Sequence, residues 1–338
     1  MKKLLLITTG GTISSIESSN GLVPSNQNNV ISNILNDEST LLDILPIMTL
    51  DSSNIQPEEW KIIASNIFDN LNSYDGIIVT HGTDTMAYTS SMISFMVQNP
   101  NIPIVFTGSQ LPLSHPLTDA VDNLKCAKAM ALSKVPGVFI AFDRKILLGC
   151  RAVKAKTVSF NAFQTINREP LGVISSLGLN LDKIDNLHRT NEKPILNLDI
   201  ETNVFLLKLT PTTNPNIIPI LIESGIKGIV IEAFGAGGIS FIRRDFVKEI
   251  KNAVDKNIPI IVSSQCLYET SNFNIYEVGT KVLASGAIEA LDMTSEAAVT
   301  KLMYALGKTK DMKEIKKIFE TNIADEINLN SNKGQAKK

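Results

Sequence analysis

The chain has 338 residues, of which 43% are hydrophobic and 20% charged, and its formal net charge is −2. That length suits two domains of about 100–200 residues each, and so small a charge excludes a basic field for nucleic acid or anionic lipid. Three widely spaced cysteines (Cys126, Cys150, Cys266) exclude a disulfide framework, and three histidines with no His-x-x-x-His and no Cys-x-x-Cys exclude a ligand spacing for a transition metal.

The amino terminus, MKKLLLITTGG, opens with an apolar run of only four residues, 4–7. A signal peptide needs about 7–15, and no later segment reaches the ~18 apolar residues of a membrane span. With unpaired thiols, this predicts a cytoplasmic location and no membrane partner. A first strand at 3–8 ends in Thr8-Thr9-Gly10-Gly11-Thr12. The polar, glycine-containing stretch 20–25 then has the character of a lid loop. A short strand before Asp51 ends in Asp51-Ser52-Ser53-Asn54, and an amphipathic helix at 57–71 follows, with Pro57 in its first turn. The run Gly76–Thr80 predicts a second buried strand ending in Thr80-His81-Gly82-Thr83-Asp84-Thr85, then an amphipathic helix at 84–97. A strand at 103–107 ends in Thr107-Gly108-Ser109-Gln110, and a helix at 118–132 and a strand at 137–142 come next.

From about 175 to 203 the sequence is polar and without sustained periodicity, which reads as an interdomain connection. Strands at 204–209, 228–232 and 259–263 and a helix at 241–255 resume the alternation. Strands alternating with helices predict an α/β protein. The expected layout is a larger amino-terminal α/β catalytic domain (1–189) with a mostly parallel sheet, a linker (190–203), and a smaller carboxy-terminal α/β domain (204–338) with a parallel sheet. The final residues, from about 328, read as a solvated tail.

Open parallel sheets bind ligands outside the carboxyl ends of their strands, and here four such ends carry clusters of hydroxyls. This suits acyl transfer. A threonine hydroxyl becomes a nucleophile only when a base in contact takes its proton, and adjacent glycines let backbone N–H groups approach a developing oxyanion. Taken singly, each feature has a plainer reading. Thr9-Gly10-Gly11-Thr12 suits a simple turn, Asp84 a helix N-cap, and His81 a structural support for its turn. The run Gly235-Ala236-Gly237-Gly238 hints at a phosphate loop but lacks both the Walker lysine pattern and Gly-x-Gly-x-x-Gly.

The pairing of TGGTI (Thr9 to Ile13) with HGTDTMAYT (His81 to Thr89) resembles the L-asparaginase family, specifically its cytoplasmic type I bacterial branch. DSSN with PEEW (Asp51 to Trp60), TGSQLPL (Thr107 to Leu113), SSQC (Ser263 to Cys266) and DMTSEAAVTKLMYALG (Asp292 to Gly307) extend the resemblance over nearly the whole chain. The resemblance implies hydrolysis of L-asparagine to L-aspartate and ammonia through an acyl-enzyme, with no metal or other cofactor. Thr12, in preference to Thr83, would be the nucleophile. Thr83, Asp84 and Lys154 would form a triad-like cluster that moves protons and activates water. Asp51, Ser52 and Ser53 would hold the substrate's α-carboxylate and its polar surroundings, and Asp84 would also pair with the α-ammonium. The lysine rests on the family's Gly-x-Arg-x-x-Lys, matched by Gly149-x-Arg151-x-x-Lys154; Lys156, two residues on, would face the same way on an extended strand.

The sequence departs from the family's pattern in two places. Leu22 stands where members often place a lid tyrosine, and Glu232 stands where an arginine would favour the carboxylate of an activating second asparagine. The resemblance also implies self-association to a homodimer or homotetramer. Two alternatives accompany it: an ammonia-releasing subunit of a tRNA amidotransferase, set apart by an extra domain ahead of the nucleophile, and a nonenzymatic amino-acid-binding protein of the same fold.

Overall fold

The computed structural model describes every residue except 19, 20, 25, 26, 185, 186, 188, 189, 191, 272, 274–276 and 329–338, and except the side chains of 16–18 and 21–24. The chain divides into two compact units, Met1–Leu198 and Asp199–Lys338.

Eight strands build the sheet of the first unit. β1 (Lys2–Gly10), β2 (Thr40–Leu50), β3 (Gly76–Thr80), β4 (Pro103–Thr107) and β5 (Gly137–Phe142) are mutually parallel in the order β2-β1-β3-β4-β5. β6 (Lys145–Leu148), β7 (Gly172–Ser175) and β8 (Gly178–Asn180) continue it past β5 as an antiparallel meander. The interior strands Gly-Ile-Ile-Val-Thr and Pro-Ile-Val-Phe-Thr are buried at every position, as strands covered on both faces must be. β2 lies at the edge and is mostly half-exposed, which makes room for Pro46, whose missing N–H would break a central ladder.

Four helices cover this sheet: α1 (Asn28–Leu35), α2 (Pro57–Asn70), α3 (Met86–Met96) and α4 (Ala120–Ala131). α2 starts with Pro57 at its first position, where no N–H is needed, and the Gln56 N–H donates to Glu59 Oε2 at 2.9 Å. α3 differs from the amphipathic helix expected at 84–97. It begins only at Met86, and every residue except Tyr88 is buried. Its hydroxyls look like a polar face in sequence, yet they bond inward: Ser90 Oγ donates to the Gly149 carbonyl (2.8 Å) and Ser94 Oγ to the Ser90 carbonyl (2.8 Å). The stretch read as featureless, 175–203, contains β8 and a short strand, Ile195–Leu196, antiparallel to Val97–Gln98. Both segments are too short for periodicity to reveal.

In the second unit, β9 (Val204–Lys208), β10 (Gly228–Ala233), β11 (Ile260–Ser264) and β12 (Ile288–Glu289) form one parallel sheet in chain order. Alternate residues of β10 feed two cores. Ile229 and Ile231 pack with Phe246 and Ile250 of α6 (Phe246–Asp255), which follows α5 (Ile217–Glu223), whereas Val230 packs with Leu302, Leu306, Ile315 and Phe319. α6 begins five residues later than the sequence suggests because Asp245 caps it, accepting from the Lys248 N–H at 3.0 Å. Leu302 and Leu306 belong to a helix over Ser295–Lys308, and Phe319 to the helix Met312–Glu320 after it.

The strand order of the first unit locates its crevice. From β1 the chain steps to the edge at β2, crosses back to β3 on the other side of β1, and continues outward. That reversal opens a cleft between the carboxyl ends of β1 and β3, where doubly wound sheets hold their ligands.

Candidate active site

The loops leaving β1, β2 and β3 are packed backbone against backbone. Gly11 adopts φ +81°, and a Cβ there would lie 2.5 Å from the Gly82 nitrogen; a Cβ on Gly82 would lie 2.6 Å from Ser52 Oγ. Only glycines permit this approach, and it brings together the loop backbones that carry Thr12, Ser52 and Thr83. Thr12 opens a single 3₁₀ turn, Thr12–Ser14, and is half-buried. The turn is pinned from below: Gly11 N–H donates to the Leu50 carbonyl (2.9 Å), Ser15 Oγ to the Gly11 carbonyl (3.0 Å) and Thr9 Oγ1 to the Thr80 carbonyl (2.8 Å). The stretch read as a lid loop is in part a strand, since Gly21–Pro24 pairs with Ser15–Ser18. The side chain of Leu22 lies outside the described residues.

Thr83 and Asp84 sit in the turn before α3. Asp84 is therefore not the N-cap; Thr85 is, and its hydroxyl donates to the Ser52 carbonyl at 2.6 Å. Lys154 arrives from the far side on a three-residue strand, Ala152–Lys154, paired with Phe163–Thr165. Its Nζ donates to Thr83 Oγ1 at 2.8 Å and pairs with Asp84 Oδ1 at 2.5 Å. Lys156 instead reaches Asn161 Oδ1 at 2.9 Å, which separates the two lysines that sequence spacing left together. The side chain of Lys154 is 17% exposed and that of Asp84 62%, so this pair opens to solvent on the carboxylate side.

Asp51 organises the third loop. Its Oδ1 accepts from Ser53 N–H (2.8 Å) and Ser53 Oγ (2.6 Å), and the Ser53 hydroxyl, then its N–H, hold the carboxyl below the usual carboxylate range. Ser53 is thus committed to Asp51, while the buried Ser52 faces Gly82. Asp51 and Asp84 give the crevice two carboxylates against one lysine, an arrangement that favours an incoming ammonium.

His81, fully buried, supports the turn. Burial lowers its pKa from 6.5 to about 4, so the ring is neutral at pH 7. Its Nδ1–H faces the Gly82 carbonyl at 2.7 Å, which can only accept, leaving Nε2 to accept from Thr89 Oγ1 at 2.9 Å; Thr89 in turn accepts from Trp60 Nε1 at 3.0 Å. With every donor and acceptor of the ring satisfied, His81 has the structural role and not that of a base.

Two residues here were not singled out from sequence. Gln110, after β4, reaches Thr83 Oγ1 at 3.4 Å, and Asp119 accepts from the N–H groups of Gln110 (3.0 Å) and Leu111 (3.1 Å). The strand-end position of Gln110 was visible in the sequence; Asp119 carried no signal. In the second unit, the N–H groups of Gly237 and Gly238 both turn inward to the Phe234 carbonyl, so the glycine run does not present them to a phosphate. Glu232 pairs with Lys208 (3.2 Å) and accepts from Ser295 Oγ (2.5 Å), and Gln265 Nε2 donates to the carbonyls of Leu209 and Glu232. Among the described residues no three His, Cys, Asp or Glu side chains converge as metal ligands, and no helix is long and apolar enough to cross a membrane.

By fold and site, this is a two-unit α/β protein with a threonine–lysine–carboxylate chain at the reversal of its larger sheet, a setting for hydroxyl-based acyl transfer. The "Asparaginase, N-terminal" family matches residues 3–185 and the "Glutaminase/Asparaginase C-terminal domain" family residues 203–319. The chain belongs to the asparaginase family. It is 39% identical over 331 residues to the L-asparaginase of Thermococcus kodakarensis, covering 96% of this chain and 99% of that protein. The solved structure of that thermostable enzyme superposes with a TM-score of 0.91, again over 96% and 99% of the two chains. L-asparaginase I from Vibrio cholerae is 26% identical with a TM-score of 0.86, over 97% and 99% of the chains. A glutamyl-tRNA(Gln) amidotransferase subunit of Methanosphaera stadtmanae is 34% identical over 342 residues, 96% of this chain and 77% of that protein.

Proposed function

We propose that this protein is a type I L-asparaginase that hydrolyses L-asparagine to L-aspartate and ammonia. The observation that supports the reading is the chain Thr83–Lys154–Asp84, whose loop meets the loop of Thr12 backbone to backbone at Gly11 and Gly82. Thr12 Oγ attacks the side-chain amide carbon; its proton passes by way of the Thr83–Lys154 pair to the leaving nitrogen, which departs as ammonia. The β-aspartyl ester on Thr12 is then cleaved by water, whose proton returns to the threonine oxygen. Asp84 holds the α-ammonium of the substrate beside Lys154, and Ser52 holds the α-carboxylate, with Asp51 and the Ser53 bonded to it forming the polar surroundings. No metal or other cofactor enters these steps.

The first domain (1–189) carries the chemistry, residues 190–203 link it to the second (204–338), and the division between Leu198 and Asp199 supports that boundary. Self-association to a homotetramer, with a dimer as the functional minimum, and a cytoplasmic location complete the reading; the free thiols of Cys126, Cys150 and Cys266 support the latter. Identity over the full length of an L-asparaginase, at 39%, favours this function over the amidotransferase subunit at 34%.

Steady-state ammonia release from asparagine, glutamine and an asparagine lacking its amino group tests the assignment. Thr12→Val keeps fold and oligomer size and removes turnover by orders of magnitude. Asp84→Asn keeps the fold and loses discrimination for the free α-amino group. Turnover near the parent rate in Thr12→Val would refute the nucleophile, and activity that appears only with a partner subunit would favour the amidotransferase role.

A further inference from the structure

We infer that Gln110 is a positioning residue for the reaction: its side-chain oxygen accepts the Thr83 hydroxyl hydrogen and so aims the Thr83 oxygen at Lys154. This rests on the reading above, in which Thr83 and Lys154 relay protons.

A hydroxyl has one hydrogen and two lone pairs. With the Lys154 ammonium donating to Thr83 Oγ1 at 2.8 Å, the threonine hydrogen must point elsewhere, and Gln110 Oε1 at 3.4 Å is the acceptor the structure places there. The amide cannot be turned over to present its NH₂ group. Nε2 donates to two backbone carbonyls, Thr157 and Ser159, at 3.1 Å each, and a flipped amide would set Oε1 against those two acceptors. The main chain is held as firmly, because Gln110 N–H donates to both oxygens of Asp119 at 3.0 and 3.1 Å. Oε1 therefore faces Thr83 by necessity. When Lys154 gives up a proton to the leaving group, its freed lone pair accepts the Thr83 hydrogen in place of Gln110, and the relay resets once the lysine is charged again.

A purely structural alternative exists on the same contacts, since residues 157–159 follow Lys154 and Gln110 could act only by tethering that segment. Two comparisons separate the roles. Gln110→Met lowers kcat about 3- to 10-fold, the size of one lost weak hydrogen bond, with KM within about twofold. In a Thr83→Val background the same substitution changes kcat no further, because its only target is gone. Gln110→Glu keeps an oxygen facing Thr83 but turns the other against the Thr157 and Ser159 carbonyls unless it is protonated, so its kcat, measured as pH falls, moves toward the parent's while that of Gln110→Met does not. Steady-state ammonia release reads all three, with folding checked by circular dichroism.

An unchanged kcat in Gln110→Met, or an equal loss in the Thr83→Val background, overturns the inference, as does failure of both Gln110 variants to fold. Should Gln110→Met alone not fold, Gln110→Glu decides in the Thr83→Val background: a loss there equal to its loss in the parent refutes the role. If Thr83→Val itself leaves kcat unchanged, the proton relay of the proposed function has failed instead, and the two outcomes are distinct.

Discussion

The buried ring of His81 makes stability fall with acidity in a defined window. In the folded chain burial lowers its pKa to about 4, against 6.5 when exposed. Between those values the unfolded chain binds a proton that the native one does not, so stability drops as pH falls from 6.5 toward 4. Above the window the contribution is fully present, and below it both states are protonated and the loss is complete. At about 1.4 kcal/mol per pH unit, the fall from 6.5 to about 4 amounts to about 3 kcal/mol. Burial explains the sign: the fully buried ring would lose its hydration on charging, and the Gly82 carbonyl and Thr89 hydroxyl are the partners it would have in exchange. Trp60 is the chain's single tryptophan, so its fluorescence reports unfolding of this very network. Urea unfolding from pH 7.5 to 4 should show the parent's advantage over His81→Gln shrinking by about 3 kcal/mol across the window. Parallel curves for the two proteins would mean that the native ring takes up its proton normally, and the neutral-histidine account would be wrong.

Glu296 should behave with the opposite sign. Burial, ahead of the nearby Glu232 charge, raises its pKa from 4.5 to about 7, so the native chain holds a proton there that the unfolded chain has lost. Glu296→Gln should gain stability relative to the parent as pH rises from 4.5 past 7, by up to about 3 kcal/mol in the same titration series. In the second unit, Lys301 and Glu326 form an ion pair at 2.5 Å with neither side chain exposed. Lys301→Met should cost about 3–5 kcal/mol in urea unfolding, and adding Glu326→Leu should recover only part of it, because it relieves the stranded charge but leaves the Ile323 and Ala324 N–H groups without their acceptor. Gly11→Ala should abolish ammonia release while the circular dichroism spectrum is kept, since the new methyl meets the Gly82 backbone at 2.5 Å and φ +81° is costly for alanine by about 1–3 kcal/mol.

Much of the fold is legible along the chain. The strands at Gly76–Thr80, Pro103–Thr107 and Gly137–Phe142 begin and end where their apolar runs do, because an interior parallel strand is buried on both faces and any polar residue ends it. The edge strand β2, eleven residues long, shows in the sequence only as a short segment before Asp51, since Asp43 and Pro46 break its apolar run and a proline within a run argues against a strand. α3 departs from its expected pattern for a related reason: serines and threonines bonding inward have the same letters as a solvated face. Local pattern also sets α6 too early, where a capping aspartate chooses the start.

Read along the chain, the residues supply an inventory: parallel strands ending in hydroxyl-rich loops, glycines within those loops, and an acid between two threonines. The motif Gly149-x-Arg151-x-x-Lys154 already favours Lys154 over Lys156, and the folded chain adds where each ammonium points. Lys154 and Lys156 point to the same side of an extended strand, but the strand ends at Lys154 and the chain turns, sending one ammonium to Thr83 and the other to Asn161. Tertiary structure alone decided that His81 is neutral and that Gln110 faces Thr83. Charge state and hydrogen-bond direction depend on desolvation and on partners distant in the chain, and neither is a property of any local stretch of residues.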